Sequence, residues 1–328
     1  MRCVIVGAGM SGLLAARSLE RAGWETVVLD KGRGVGGRMA TRRVGDGVFD
    51  HGAQFFTARG DEFKKLVEEW TGVGAAVEWS RGFADADGER PSDGHPRYRG
   101  ASGMTSIPKH LAEGLDVRAG ERAVHVLRSG TGWEVRCESG LSEYGDALLL
   151  TAPVPQSLAL VGGIVPTYKR EDLRRISYDP CVALMALLDG SANLPEPGGV
   201  QIKGEPLDWI SDNERKGVSE APAITIHAGP KWSRTHFGDS DDETTAALLE
   251  LAGEALGKNV ASKVVGTSVA RWRYSWVTEN HTERYFVGVE SPPLVFAGDA
   301  FGSPKVEGAS LSGLAAAEWL GAAHAESG

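Results

Sequence analysis

Arg2-Cys3-Val4-Ile5-Val6-Gly7-Ala8-Gly9-Met10-Ser11-Gly12 opens the chain, a short apolar strand that runs into a glycine turn and a helix-like segment. Gly7 permits the tight strand-to-helix turn, Gly9 lets the backbone approach a pyrophosphate, and Gly12 lets the helix pack close to the strand. A pyrophosphate would then sit on the exposed amides at the positive end of that helix. Residues 24–29 read as the next strand, and Asp30 ends it where an adenosine ribose presents its hydroxyls. A carboxylate there disfavours a 2′-phosphate, which suits FAD or NAD better than NADP. With 44 glycines in the chain, a glycine turn alone is weak, so the weight rests on the strand–turn–helix–strand–acid order.

Residues 31–43 narrow the field. Lys31-Gly32-Arg33-Gly34-Val35-Gly36-Gly37-Arg38 puts a double glycine before an arginine directly after the acid. Gly36 and Gly37 let the chain cross close over a cofactor, and Arg38 supplies a forked donor pair near a pyrophosphate. A solvated basic loop has no evident use for the paired glycines. This run resembles the second signature of the amine-oxidase-type flavoproteins, in which FAD lies extended along the Rossmann half. A third segment, Ala297-Gly298-Asp299 followed by a helix start near Val306, fits the same class. There the aspartate binds the ribityl–phosphate region, and the positive end of the helix meets the flavin pyrimidine.

Composition sets the frame. At 328 residues the chain exceeds one ordinary domain, and a 41% apolar content supports a substantial core. The net charge of −9 argues against a nucleic-acid partner. No apolar run is long enough to span a membrane, and with a first strand starting at residue 2 we expect no cleaved leader. Cys3, Cys137 and Cys181 are isolated from one another, without metal-ligand spacing, so we expect no metal, no disulfide framework and a cytoplasmic setting. With no cysteine after Cys181, a non-covalent flavin is expected.

Along the chain, residues 50–59 (Asp50-His51-Gly52-Ala53-Gln54-Phe55-Phe56-Thr57-Ala58-Arg59) follow a short strand and suit a loop bordering a flavin ring. A helix is expected over 61–70, irregular or short-stranded chain over 75–99, and a helix start at 103–111. Strands are expected over 123–127, 133–137, 147–150, 182–188, 223–227 and 264–272, with a helix over 241–256. The fold class is therefore α/β, a Rossmann-type FAD-binding domain with a smaller mixed α+β substrate domain, in an amine-oxidase or p-hydroxybenzoate-hydroxylase-like topology. The expected boundaries are 1–59, 100–155 and 290–328 for the FAD domain, and 60–99 and 156–289 for the substrate domain.

Residues 30–43, 51–59, 98–106, 206–234 and 298–313 together resemble the bacterial renalase family. The most specific stretches are Gly52-Ala53-Gln54-Phe55-Phe56-Thr57-Ala58-Arg59 and Leu207-Asp208-Trp209. The resemblance implies an FAD-dependent oxidase that returns the 2- and 6-dihydro isomers of NAD(P)H to NAD(P)+, with O2 reduced to H2O2. It also implies FAD contacts from Gly7, Gly9, Ser11, Gly12, Asp30, Lys31, Gly37, Arg38, Ala53, Gln54, Asp299 and Val306, with Ala123 touching the adenine through its backbone. His227 matches a histidine of the substrate pocket, and Trp272 and Arg273 match the motif that closes it. Two positions depart from the pattern: Phe55 stands where a tyrosine is expected, and Lys305 where an arginine is. Both bear on substrate preference more than on reaction type.

The chemistry needs little from side chains. A dihydropyridine becomes aromatic by giving up a hydride, so no residue is expected to act as acid or base. His227 is then a substrate orienter. Three other readings compete. An amine (CH–N) oxidase shares the FAD motifs but must bind a neutral amine between aromatic walls. An NAD-dependent dehydrogenase shares only the first turn, and a flavin-bound scaffold would catalyse nothing. No sequence feature sets the oligomeric state.

Overall fold

A computed structural model describes residues 1–85, 94–202 and 205–325, the side chains as far as residue 322. It divides into two compact units of comparable size, Met1–Gly37, Ile107–Ser177 and Val277–Gly328 in the first, Arg38–Ser106 and Tyr178–Trp276 in the second.

The first unit is built on a sheet with the strand order Phe286–Val289, Leu294–Phe296, Ala147–Leu150, Arg2–Val6, Glu25–Asp30, Val117–Ala119. All neighbours pair in parallel except the antiparallel edge pair Phe286–Val289 and Leu294–Phe296. Arg2–Val6 lies centrally, with Val4 opposite Leu148 and Val27, and is buried along almost its whole length. That is why it reads as a continuous apolar run and not as an alternating one. Ala123–Ser129, Gly132–Cys137 and Ser142–Gly145 add an antiparallel meander. The helices Met10–Arg21 and Lys305–Ala325 pack together where Gly313 meets the first turn: a Cβ there would lie 2.1 Å from the Ser11 carbonyl oxygen.

The second unit has the order Val264–Glu279, Ser177–Leu188, Ala223–Ala228, Leu207–Asp212, Gly199–Gln201, Ala84–Asp85. Its two faces are set by the period of two along each strand. Val182, Leu184, Ala186, Leu188, Ile210, Ile224 and Ile226 join one core with Leu248, Leu249 and Ala252 of helix Asp241–Leu256. Ala183 and Met185 turn to the other face, against Phe49 of the hairpin Thr41–Val44 and Gly47–Asp50. The alternation therefore sends Trp209, Ser211, Thr225 and His227 to the face that helix Asp241–Leu256 leaves uncovered.

Most elements fall where the sequence puts them. The strand expected over 24–29 is Glu25–Asp30, the helix over 61–70 is Asp61–Gly72, and helix Asp241–Leu256 has the expected ends, with a Ser240–Glu243 capping box. Residues 75–99 hold the short strands Ala76–Ser80, Ala84–Asp85 and Arg97–Gly100, while 86–93 lie outside the described residues. Strands 182–188 and 264–272 extend to Ser177–Leu188 and Val264–Glu279. The compact units also cut the chain differently. Residues 38–59 and 100–106 group with the second unit, 156–177 and 277–289 with the first. The motif at 38–59 carries cofactor signals, yet it packs on the second sheet through Phe49 and Asp50.

Replacing Gly313 with Val should lower the unfolding free energy by about 1–3 kcal/mol, because the new side chain has no space beside the Ser11 backbone. Denaturant midpoints of the two proteins measure it; an unchanged midpoint would contradict this packing.

Candidate active site

In the first unit the two glycine motifs meet. Gly7 has φ +115 and its N–H donates to the Leu29 carbonyl at 2.8 Å. Gly12 fits only as glycine, since a Cβ would lie 2.0 Å from the Gly7 carbonyl oxygen. Gly36 (φ +118) donates its N–H to the Ala8 carbonyl at 2.8 Å, and a Cβ on Gly37 would lie 3.6 Å from Gly9 Cα. Asp30 joins the turns: Oδ2 accepts from the Ala8 N–H at 2.7 Å and Oδ1 from the Gly32 N–H at 2.6 Å. The Asp30 loop is tied to the segment before Ala123 by the Gly120 N–H on the Gly32 carbonyl, 2.7 Å. Lys31 donates to Gln156 Oε1 at 3.2 Å, and partial burial, then the nearby Arg122 charge, lower its pKa against the pull of Asp30.

These residues fit a dinucleotide. Ser11 is 3% exposed and its hydroxyl has no protein partner, and a Cβ on Gly9 would have nothing within 4 Å. So no packing contact requires glycine at position 9, and the open space there fits a close approach. In the same unit Asp299 and Val306 are buried, and the Gly298 N–H donates to Ser312 Oγ at 2.8 Å. Lys305 is exposed with φ +78, a left-handed backbone that costs a non-glycine residue roughly 1–2 kcal/mol.

The second unit holds a buried polar chain. Lys216 Nζ lies 2.7 Å from Asp50 Oδ2, both side chains fully buried, and 4.9 Å from the centre of the Trp79 ring. It donates to Gln54 Oε1 at 3.4 Å, which also accepts from Ser211 Oγ at 2.9 Å. Gln54 Nε2 donates to the carbonyls of Asp50 (2.6 Å) and Gly52 (3.2 Å), and stands 3.3 Å from His227 Nε2. Burial pushes the Lys216 ammonium down, opposed by Asp50. His227, 6% exposed, is pushed down to about 4 by burial, then by the His51 charge, against a backbone hydrogen bond with His51. His51 is also pushed down to about 4 by burial and then Arg42, against Asp50.

Around this chain the expected pocket residues separate. His51 stacks on Trp272 at 5.1 Å, and Trp272 Nε1 donates to the His51 carbonyl at 2.8 Å. Phe55 packs among Trp79, Phe83 and Trp209, with ring centres 6.4, 4.8 and 5.5 Å away. Ala53 donates its N–H to the Arg38 carbonyl at 2.8 Å, and Arg38 Nη1 donates to the Tyr274 carbonyl at 3.3 Å. Arg273 is not brought to this cluster. One residue along the strand from Trp272, it turns to the other face and lies exposed, 4.7 Å over the Phe237 ring. Lys216, Ser211 and Trp79 carry the site without having been singled out in sequence. Asp50 stood in the 50–59 segment but without a role. Lys216 follows Asp212-Asn213-Glu214-Arg215, which reads as a solvated turn.

Two predictions follow from this geometry. Gly9→Ala should leave the stability of the flavin-free protein near that of the parent while weakening flavin retention, whereas Gly12→Ala should destabilise both states. Thermal unfolding with and without added FAD separates the two. The second concerns acid. Both histidines are held at about 4, below their unfolded value of roughly 6.5, so the unfolded chain binds more protons between those limits. Stability is therefore fully present above the upper limit and falls with pH through the window, by up to about 1.4 kcal/mol per pH unit for each histidine. Urea unfolding across that window measures the slope, and His227→Gln should flatten it.

Residues 83–320 match the model of the family described as flavin containing amine oxidoreductase, and residues 5–70 that of an NAD(P)-binding Rossmann-like domain. Renalase of Mus musculus is 25% identical over 335 residues, covering 95% of this chain and 96% of that protein. Among solved structures, a candidate protoporphyrinogen oxidase from Exiguobacterium sp. 255-15 superposes with a TM-score of 0.77 at 16% identity, covering 98% of each chain. Putrescine oxidase bound to putrescine gives 0.73 at 15%, covering 98% of this chain and 99% of that one. No helix among the described residues is long and apolar enough to cross a membrane. With two glycine motifs locked around one acid and a family model that spans most of the chain, this protein belongs to the flavin containing amine oxidoreductases, as a renalase-like, FAD-dependent oxidoreductase.

Proposed function

We propose that the protein oxidises the 2- and 6-dihydro isomers of NAD(P)H to NAD(P)+. Bound non-covalently, FAD would supply the acceptor for the hydride at its N5 and pass the electron pair to O2, which takes that hydrogen as a proton and a second proton from solvent and leaves as H2O2. The glycines at 7, 9 and 12, Ser11 and Asp30 would hold its dinucleotide half, with Lys31, Gly37, Arg38 and the Ala123 backbone beside it. Asp299 and Val306 would serve the ribityl and flavin end, as would Ala53 and Gln54 of the other motif.

The observation that carries this reading is the state of His227. Its pKa of about 4 leaves it neutral at physiological pH, and the Gln54 amide N–H occupies Nε2. A dihydropyridine asks for no base, because hydride loss alone restores aromaticity, and a neutral, immobilised imidazole suits that donor. An alkylamine, with a pKa near that of lysine at about 10, must shed a proton before oxidation, and His227 is poorly matched to take it. Full-length likeness to renalase points the same way. The chain's residues then orient the ring and exclude other geometries, with Phe55 and Trp272 as apolar walls.

Mixing the flavin-loaded protein anaerobically with separate 2-, 4- and 6-dihydro-NAD isomers tests the proposal. Fast bleaching is expected with the 2- or 6-isomer and slow bleaching with ordinary 4-dihydro-NADH. Inertness to all three, with bleaching by a primary or secondary amine, would replace this reading with a CH–N oxidase.

A further inference from the structure

We propose that Lys216 is a positioning residue: it holds the Gln54 amide oxygen, which turns the amide N–H toward His227 and locks that imidazole as a neutral acceptor at Nε2. The role of His227 in substrate orientation rests on the function proposed above, but the lock itself does not.

An amide can stand two ways, and its neighbours decide which. On one side of Gln54 are Lys216 Nζ at 3.4 Å and Ser211 Oγ at 2.9 Å. The hydroxyl can donate or accept, so it does not discriminate, whereas an ammonium has only protons to give. On the other side are the Asp50 and Gly52 carbonyls, at 2.6 and 3.2 Å, which only accept. A flipped amide would set its NH2 against the ammonium and its oxygen against two carbonyls. The chain thus has one direction, from ammonium to amide oxygen and from amide N–H to imidazole. His227 Nε2, at 3.3 Å, must then offer a lone pair, and the ring proton of the neutral form sits on Nδ1.

Protonation of His227 would put an N–H at Nε2 against the amide N–H. The relief for that clash is an amide flip, and Lys216 opposes the flip together with the Asp50 and Gly52 carbonyls; without the ammonium only the carbonyls do. The ammonium therefore guards the imidazole against taking a proton although the two do not touch. The groups that bear on the chain are Asp50 from strand Gly47–Asp50, Arg99 from strand Arg97–Gly100, His51, and Arg42 from strand Thr41–Val44. Lys216 is held in turn by Asp50, so removing it alone would strand a buried carboxylate. Asp50→Asn with Lys216→Met removes both charges together and keeps the Asp50 carbonyl.

Long-range proton–nitrogen NMR of the histidine rings in the flavin-loaded protein reads the lock directly. The parent should show His227 with Nδ1 protonated, Nε2 bare, and no titration down to about pH 5. The double variant should show His227 titrating at least one pH unit higher, with both tautomers present. Gln54→Glu, which sets a carboxylate against Nε2, should move the proton to Nε2. A His227 that keeps its tautomer and titration in the folded double variant, or in Gln54→Glu, overturns the proposal. A lock confirmed by NMR in a protein inert to every dihydronicotinamide isomer would overturn the assigned reaction and leave the lock standing.

Discussion

The second unit depends on one buried charge. Asp50 has no exposed surface, yet every polar atom it presents is used. Oδ1 accepts from the Met104 N–H at 2.7 Å and from Thr41 Oγ1 at 2.6 Å, and Oδ2 meets Lys216 at 2.7 Å. Its carbonyl accepts from Gln54 and from Thr225 Oγ1, and its N–H donates to Asn213 Oδ1 at 3.3 Å. Four stretches distant in sequence are thereby fixed to one residue. Removing one partner of such a pair typically costs 3–5 kcal/mol, because the surviving charge stays buried, whereas replacing both together can be neutral. The pair is therefore better understood as fixing one arrangement than as adding stability.

The sheet supplies the rest. With a period of two, each strand divides its residues between an apolar core and a polar working face. Ile224 and Ile226 join the core under helix Asp241–Leu256, while Thr225 and His227 come to the Asp50 chain. Leu207–Asp212 does the same with Ile210 inside and Trp209 and Ser211 outside. A one-residue slip in either strand would exchange the two sets, so the register of the core is also the register of the site.

This explains what could be read in advance. The first turn, Asp30 and the Gly36–Gly37 pair were legible because each needs only local chemistry, a backbone that approaches and an acid that ends a strand. Gln54 and His227 were legible as members of a family pattern. Lys216 was not, because nothing local marks a lysine after Glu214-Arg215 as buried; its partner stands 166 positions earlier in the chain. Arg273 was misleading for the opposite reason. It neighbours Trp272 in sequence, and strand alternation sends neighbours to opposite faces.

The glycines make the same point more sharply. Gly9 and Gly12 look alike in a sequence, yet a Cβ on Gly12 would overlap the Gly7 carbonyl and a Cβ on Gly9 would touch nothing. Gly12 is required by the fold; Gly9 is not, and its place in the fold leaves open space for the cofactor proposed above. Ser11, buried between them with an unsatisfied hydroxyl, belongs with Gly9. A buried polar atom without a partner costs roughly 1–3 kcal/mol, and a fold retains one where a ligand completes it. An orphaned hydroxyl at a helix N-terminus beside an open glycine is chemistry that fits a phosphate-bearing cofactor, which supports the placement proposed above.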